Sequence, residues 1–400
     1  MDNLPKGGTW PSPFNEAERK KVTSGRRILL SDCTLRDGEQ QAGVAFDRSA
    51  KVRIAKALDD LGIYEIEAGT PASSEEDQEA MAEICKLGLR AKISGLCRAV
   101  TGDIDLAMSL GVWGVRLSFP VSVLERRYKL KGISDDEYIK QALHISEYAR
   151  RKGAYVIYSP YDTTRADLPF LRRLVAELER AGTVDRLRVV DTTGCALPRG
   201  ITYLINQIRE AAPKLPLEIH CHNDFGLACA NTLAGIVAGA DYGSTTINGL
   251  GERCGNAATE EVAMALEVLY GVRMGMNLTN LTSISRLVAE LSGVRPQVNK
   301  AVVGENSFRH EAGTVVAGVL QDPFTAEAYQ PEMVGQRRQF VIGKKSGLVS
   351  IAYKVKEMGL PIPEKRFPEM LTLVKRAAVK KHGALTDEEI NSLAEGMLNS

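Results

Sequence analysis

No stretch of this 400-residue sequence has the length and apolarity of a membrane span, so no membrane partner is expected. Residues 1–25 hold Pro, Gly and many charges but no apolar signal-peptide core. We read them as a polar N-terminal arm and expect the cytoplasm. Charge of one sign is also missing. Lys and Arg number 51 against 50 Asp and Glu, a formal +1, which gives no long-range field for a nucleic-acid backbone. The seven Cys show no paired spacing and no C-x-x-C, which suits free thiols in a reducing compartment better than a disulfide framework. Gly249-Leu250-Gly251 lacks the spacing and early βαβ context of a dinucleotide loop. Histidine is scarce, five residues in all.

What the sequence does have is rhythm. From Arg27 to Asn248 short β-branched runs alternate with amphipathic stretches. The predicted strands are 28–33, 64–68, 91–96, 114–119, 154–159, 187–191, 217–222 and 244–248, with helices such as 49–61, 103–110, 135–152 and 168–181 between them. That spacing gives each strand the room of one βα unit. Eight units in series argue for an α/β protein built as a closed (β/α)₈ TIM barrel over residues 26–275. Polar residues gather at the carboxyl ends of these runs, where TIM barrels assemble their active sites. After Gly271 the rhythm changes. Residues 276–400 read as a linker and a small, mainly helical C-terminal region, with helices over 281–293, 348–358, 366–379 and 386–398.

The run Ile219-His220-Cys221-His222-Asn223-Asp224 carries the sharpest chemical signal. Residues i and i+2 of a strand face one way, so His220 and His222 point together into the barrel mouth. Paired neutral imidazoles are good ligands for a divalent transition metal. Asp37, in Thr34-Leu-Arg-Asp-Gly-Glu-Gln40, offers a carboxylate, and Asn256 a weaker amide oxygen. Such mixed N/O ligation suits Mn²⁺, Mg²⁺ or Zn²⁺ and leaves positions for water or substrate.

At these residues the chain resembles the DRE-TIM metallolyase family, and within it the acyl-CoA-condensing homocitrate, 2-isopropylmalate and citramalate synthases. The matching stretches are Asp32-Cys-Thr-Leu-Arg-Asp-Gly-Glu-Gln40, Glu67-Ala-Gly-Thr-Pro-Ala72, Arg116-Leu-Ser118, Asp191-Thr-Thr-Gly194, His220-Cys-His-Asn-Asp224, Asn248-Gly-Leu-Gly-Glu-Arg-Cys-Gly-Asn256, Val303-Gly-Glu-Asn306 and Gly343-Lys-Lys-Ser-Gly347. The resemblance implies that Asp37, His220, His222 and Asn256 hold the metal and that a 2-oxo acid chelates it. Arg36 would stabilise charge on the reacting carbonyl, with Glu67 orienting Arg36 or a bound water. Arg116 would fork onto a substrate carboxylate, although a rim salt bridge suits it too. Gln40, Ser118, Tyr161 and Thr192 would complete the substrate site, Thr192 being equally suited to a helix N-cap. His310 and Glu311 would serve acid–base chemistry, reaching a partner's site in a homodimer.

Three positions depart from the family. Val315 stands where the synthases carry a second His, and an isopropyl group exchanges no proton. Tyr161 stands where a Glu is usual; Lys345 likewise replaces a common His. The metal and oxo-acid half of the site is intact, while the acyl-CoA half is altered. The expected activity is condensation of an acyl-CoA with a 2-oxo acid. The alternative is carbon–carbon cleavage on the same metal platform without thioester hydrolysis.

Overall fold

The computed structural model describes residues 8–22 and 26–399. Residues 1–7 and 23–25 of the expected N-terminal arm lie outside that range. The chain divides into two compact units, Pro13–Pro296 and a second made of the N-terminal segment to Ser12 with Gln297–Ser400.

The first unit is a closed eight-stranded parallel barrel in sequential order. Its strands are β1 (Leu29–Asp32), β2 (Glu65–Glu67), β3 (Lys92–Arg98), β4 (Gly114–Pro120), β5 (Tyr155–Tyr161), β6 (Arg186–Asp191), β7 (Leu217–Cys221) and β8 (Tyr242–Thr245). Closure comes from β1 pairing with β8, with Asp32 opposite Thr245. Helices fill the crossovers. Arg48–Leu61 starts on Asp47, whose carboxylate accepts from Ala50 N, and Leu168–Ala181 starts on Asp167, which accepts from Phe170 N; each satisfies an otherwise orphaned first-turn donor. Ile54, Leu58 and Leu61 of the first helix are fully buried, as are Leu174, Val175 and Leu178 of the second. Helical spacing puts these apolar residues on one face, against the strands.

The barrel interior is ionic where an aliphatic filling is usual. Strand alternation turns Glu65 and Glu67 (β2), Arg116 (β4), Arg186 and Arg188 (β6) and Glu218 (β7) inward, and all six are buried. Arg116 bonds Glu65 at 2.7 Å and Glu218 at 2.8 Å. Arg186 bonds Glu65 and, at 2.9 Å, Glu218. Arg188 bonds Glu67 at 3.0 Å. Three guanidiniums face three carboxylates, so the buried column is neutral, as a low-dielectric interior requires. Its floor is aromatic. Trp113 stacks on Tyr155 with centroids 4.1 Å apart, and Arg186 lies over the Tyr242 ring at 3.9 Å.

Several boundaries differ from the sequence expectation. β8 stops at Thr245, and Ile247–Gly249 is a tight turn in which Asn248 adopts φ 61°. Asn248 Nδ2 donates to Ser285 O at 2.9 Å, which ties the turn to helix Leu281–Ser292. That helix, expected in the C-terminal region, belongs to the barrel unit, because Leu281, Ile284 and Val288 bury its apolar face there. Within the expected polar arm, Glu16–Val22 is a helix whose Val22 is buried.

In the second unit a two-stranded parallel sheet pairs β9 (Arg309–His310) with β10 (Gln339–Phe340). Helix Gly313–Gln321 follows β9, in a stretch where the sequence reading placed no helix. Helices Leu348–Met358, Phe367–Lys381 and Asp387–Leu398 share a core of Ile351, Val355, Met370, Val374, Ile390 and Ala394. No helix among the described residues is long and apolar enough to cross a membrane.

Candidate active site

β1 ends at Asp32, whose carboxylate accepts from Thr34 N at 2.8 Å. The chain then makes one wide turn over Thr34–Gly38, which turns Arg36 and Asp37 into the barrel mouth. From β7 come His220 and, just past its end, His222. Asp37, His220 and His222 are all buried, and one ligand atom from each lies within 4.8 Å of the others. His220 Nε2 is 3.3 Å from Asp37 Oδ2 and 3.3 Å from His222 Nε2.

The donors fit a divalent cation. Burial, then the neighbouring Arg188 charge, pushes the His220 pKa down to about 3. Burial also lowers that of His222. Both imidazoles are therefore neutral near pH 7 and keep a lone pair for a metal. Burial alone would raise the Asp37 pKa, but the Arg36 charge and the His220 hydrogen bond outweigh it and hold the carboxylate ionised. Ser244 Oγ lies 3.0 Å from His220 Nδ1, a partner that leaves Nε2 facing Asp37.

Asn256 also reaches this centre. The 250–256 loop folds back so that Asn256 bridges to His222, its Nδ2 donating to Leu250 O at 3.1 Å. Its Oδ1 is buried without a protein partner, the state of an amide oxygen with a ligand to bind. Gly251 permits the fold-back: it has φ 156°, and a Cβ there would overlap Asn256 Nδ2.

Arg36 is clamped. Its Nε donates to Glu67 Oε1 at 2.5 Å and its Nη2 to Glu67 Oε2 at 3.3 Å. Its Nη1 reaches Asp37 Oδ2 at 2.8 Å and Gln40 Oε1 at 3.2 Å. Glu67 is fully buried; burial acts to raise its pKa, but Arg36, Arg188 and Arg116 bring it down to about 2. It orients Arg36 and faces no open space itself.

A cavity of about 350 Å³ opens over this cluster, lined by Arg36, Asp37, Gln40, Ser118, Tyr161, Thr192, His220 and His222, all expected from sequence. Thr192 Oγ1 accepts from Asp162 N at 2.7 Å, which is a loop contact and no helix cap. The expectation for Arg116 is corrected. Its guanidinium is fully buried beneath the mouth, with Nη1, Nη2 and Nε all engaged by Glu218, Glu65, Ser94 and Glu67, so it has no free fork for a substrate. The cavity-lining arginine of the strands is instead Arg188, which the sequence reading missed. The available signal was alternation: Arg186, Arg188 and Val190 share the inward face of β6. Lys129, Glu252 and Arg253 also line the cavity unforeseen. Arg253 holds its loop by bonding Asp224 Oδ1 at 2.8 Å and Thr192 O at 2.5 Å.

His310 and Glu311 belong to the second unit. His310 Nε2 lies 3.0 Å from Glu327 Oε1, and Glu311 Oε1 accepts from Lys345 N at 2.9 Å. A larger cavity in that unit, about 790 Å³ and bordered by Arg309, Arg338 and Lys354, has no comparable cluster of candidate metal ligands among the described residues.

Comparison with known proteins agrees with the motif resemblance. The HMGL-like family model matches residues 27–288, and the model described as homocitrate synthase post-HMGL domain-like matches residues 302–382. A 2-isopropylmalate synthase of Methanocaldococcus jannaschii is 43% identical over 93% of this chain and 72% of its own length. Homocitrate synthase AksA of the same organism is 41% identical over 93% of this chain and 91% of its own. Among solved structures, a hydroxymethylglutaryl-CoA lyase from Pseudomonas aeruginosa shares the barrel fold. Its TM-score is 0.59 at 20% identity, over 70% of this chain and 96% of that one. With both regions matched in order along one chain, this protein belongs to the HMGL-like family and carries the homocitrate synthase post-HMGL domain-like region after its barrel.

Proposed function

We propose that this protein is a divalent-metal-dependent synthase. It joins the α-carbon of acetyl-CoA, or a similar acyl-CoA, to the ketone carbon of a 2-oxo acid and hydrolyses the thioester, so that CoA and a hydroxy acid leave. The observation that supports this reading most is the Asp37–His220–His222 cluster with Arg36 clamped beside it in one cavity. The relatives named as isopropylmalate, homocitrate and citramalate synthases support the same reaction class.

On this reading Asp37, His220 and His222, with the free Asn256 Oδ1, hold Mn²⁺, Mg²⁺ or Zn²⁺. The bound ion supplies Lewis-acid polarisation of a carbonyl. Arg36, fixed by Glu67, faces the developing negative charge on the ketone oxygen with a guanidinium that needs no reorganisation. Thr192 accepts from the Asp162 backbone, which leaves its own hydroxyl proton for a substrate oxygen. Gln40, Ser118 and Tyr161 complete the oxo-acid wall. His310 and Glu311 manage the acyl-CoA proton, brought to a partner's site in a cytoplasmic homodimer. Glu327 fixes His310 through Nε2 and leaves Nδ1 for the transfer.

Val315 and Tyr161 favour a second reading, a carbon–carbon lyase on the same platform. A thiol-release assay with acetyl-CoA, Mn²⁺ or Mg²⁺ and a panel of 2-oxo acids separates the two. Stoichiometric CoA release with one oxo acid is expected. No release with any, together with cleavage of a hydroxyacyl-CoA or 2-hydroxy acid, would establish the lyase.

A further inference from the structure

We infer that Lys129, with Tyr161 beside it, anchors a second anionic group at the end of the substrate remote from Asp37. The chain would then select dianionic 2-oxo acids over apolar monoanionic ones. This rests on reading the cavity as a 2-oxo acid site.

The argument begins with topology. In a closed ring of eight strands, β5 lies four places from β1 and therefore across the mouth from it. Asp37 follows β1. Tyr161 is the last residue of β5, and Lys129 ends helix Val123–Lys129 in the crossover after β4. All three line one cavity. A ligand gripped beside Asp37 and extended over the mouth ends against Lys129 and Tyr161.

Charge and wall chemistry point the same way. Arg36 is engaged by Glu67 and Asp37, Arg188 by Glu67, and Arg253 by Asp224. Lys129 belongs to none of these clamps. Its Nζ pairs with Glu125 at 2.6 Å, a residue that does not line the cavity. That pair is an i,i+4 contact between a Lys side chain 57% exposed and a Glu side chain 20% exposed, so the ammonium keeps an open side toward solvent and the cavity. Lys129 Nζ lies 4.9 Å from the Tyr161 ring centroid. Burial lowers the Lys129 pKa, but the hydrogen bonds it donates to Glu125 and Tyr161 outweigh that, so the ammonium stays charged. Burial raises the Tyr161 pKa, and the Lys129 contact lowers it only in part, so the phenol stays protonated. The aliphatic lining consists of Leu96 and Val190, too little to favour a branched hydrocarbon end over an anionic one.

The test uses full-length, Mn²⁺-loaded protein and reads calorimetric binding alongside CoA release. The probes are 2-oxoglutarate and oxaloacetate against 2-oxoisovalerate and pyruvate. The wild type should bind a diacid most tightly. Lys129→Met should weaken diacid binding by about tenfold or more, raise KM with kcat little changed, and leave monoacid binding within about twofold. Lys129→Arg should restore most of the loss, and Glu125→Gln should keep the diacid preference. Equal or tighter monoacid binding by the wild type would overturn the inference. So would a Lys129→Met loss shared by both acid classes, or no binding of any oxo acid. Selective diacid binding without CoA release would leave Lys129 in this role and sink the condensation reading alone.

Discussion

Arg188 Nη2 lies 3.2 Å from His220 Nδ1. The same guanidinium holds Glu67, Glu67 holds Arg36, Arg36 holds Asp37, and Asp37 Oδ2 returns to His220 Nε2. The ring of contacts links the ionic barrel interior to the candidate metal ligands. A rigid interior thereby sets the geometry of those side chains, as a preorganised site requires.

Arg36→Ala should lower CoA release by about 10²–10³-fold, the cost typical of losing one preorganised donor to a developing oxyanion. Mn²⁺ affinity should change far less, since Asp37 and both imidazoles remain. Arg36→Lys should not rescue turnover, because an ammonium cannot fork onto Glu67 while also reaching Asp37. Parallel turnover and metal titrations check this.

Replacing Arg116 tests its correction from substrate ligand to structural cation. Arg116→Met leaves Glu65 and Glu218 short of a buried partner and should destabilise the barrel by about 3–5 kcal/mol, read as a lower urea midpoint. Raised KM for the oxo acid at unchanged stability would return Arg116 to the substrate.

Metal binding should stabilise the fold. Free Mn²⁺ at about 100 times its Kd should add about 2.7 kcal/mol, seen as a saturable rise in Tm that a chelator reverses. Asp37→Asn and His222→Ala should abolish that rise. Asn256→Ala should reduce it, since an amide oxygen is the weaker ligand.

Asp32 gives a pH dependence of defined sign. Burial raises its pKa from 3.8 to about 7, against the hydrogen bonds from Thr34 and Thr259. Between those values the folded state binds more protons than the unfolded state. The group's contribution is therefore most favourable below pH 3.8 and is lost as pH rises to about 7, at up to about 1.4 kcal/mol per pH unit. Asp32→Asn removes this titration. Its urea midpoint relative to wild type should rise from pH 5 to pH 8; a constant offset would show that Asp32 does not titrate in this window.

The sequence by itself determined the barrel and the paired imidazoles of its candidate metal site. Strands buried on both faces read as short apolar runs at βα spacing, so seven of the strands lie close to where the runs placed them, and β8 alone ends well short. His220 and His222 are two residues apart, so strand alternation suffices to aim them together; Asp37, in the turn Thr34–Gly38, was reached through the motif resemblance. What tertiary structure decided was partnership. Whether Arg116 or Arg188 faces the cavity depends on the register in which β4, β6 and β7 close the ring, and no local pattern encodes that register. Helix Leu281–Ser292 likewise reads as C-terminal until its apolar face is seen buried in the barrel unit. Lys129 lies in a crossover whose fold, not its sequence, brings it to the cavity wall. The paired imidazoles were legible because they lie two residues apart; the supports were not, because buried charges choose their partners across the barrel.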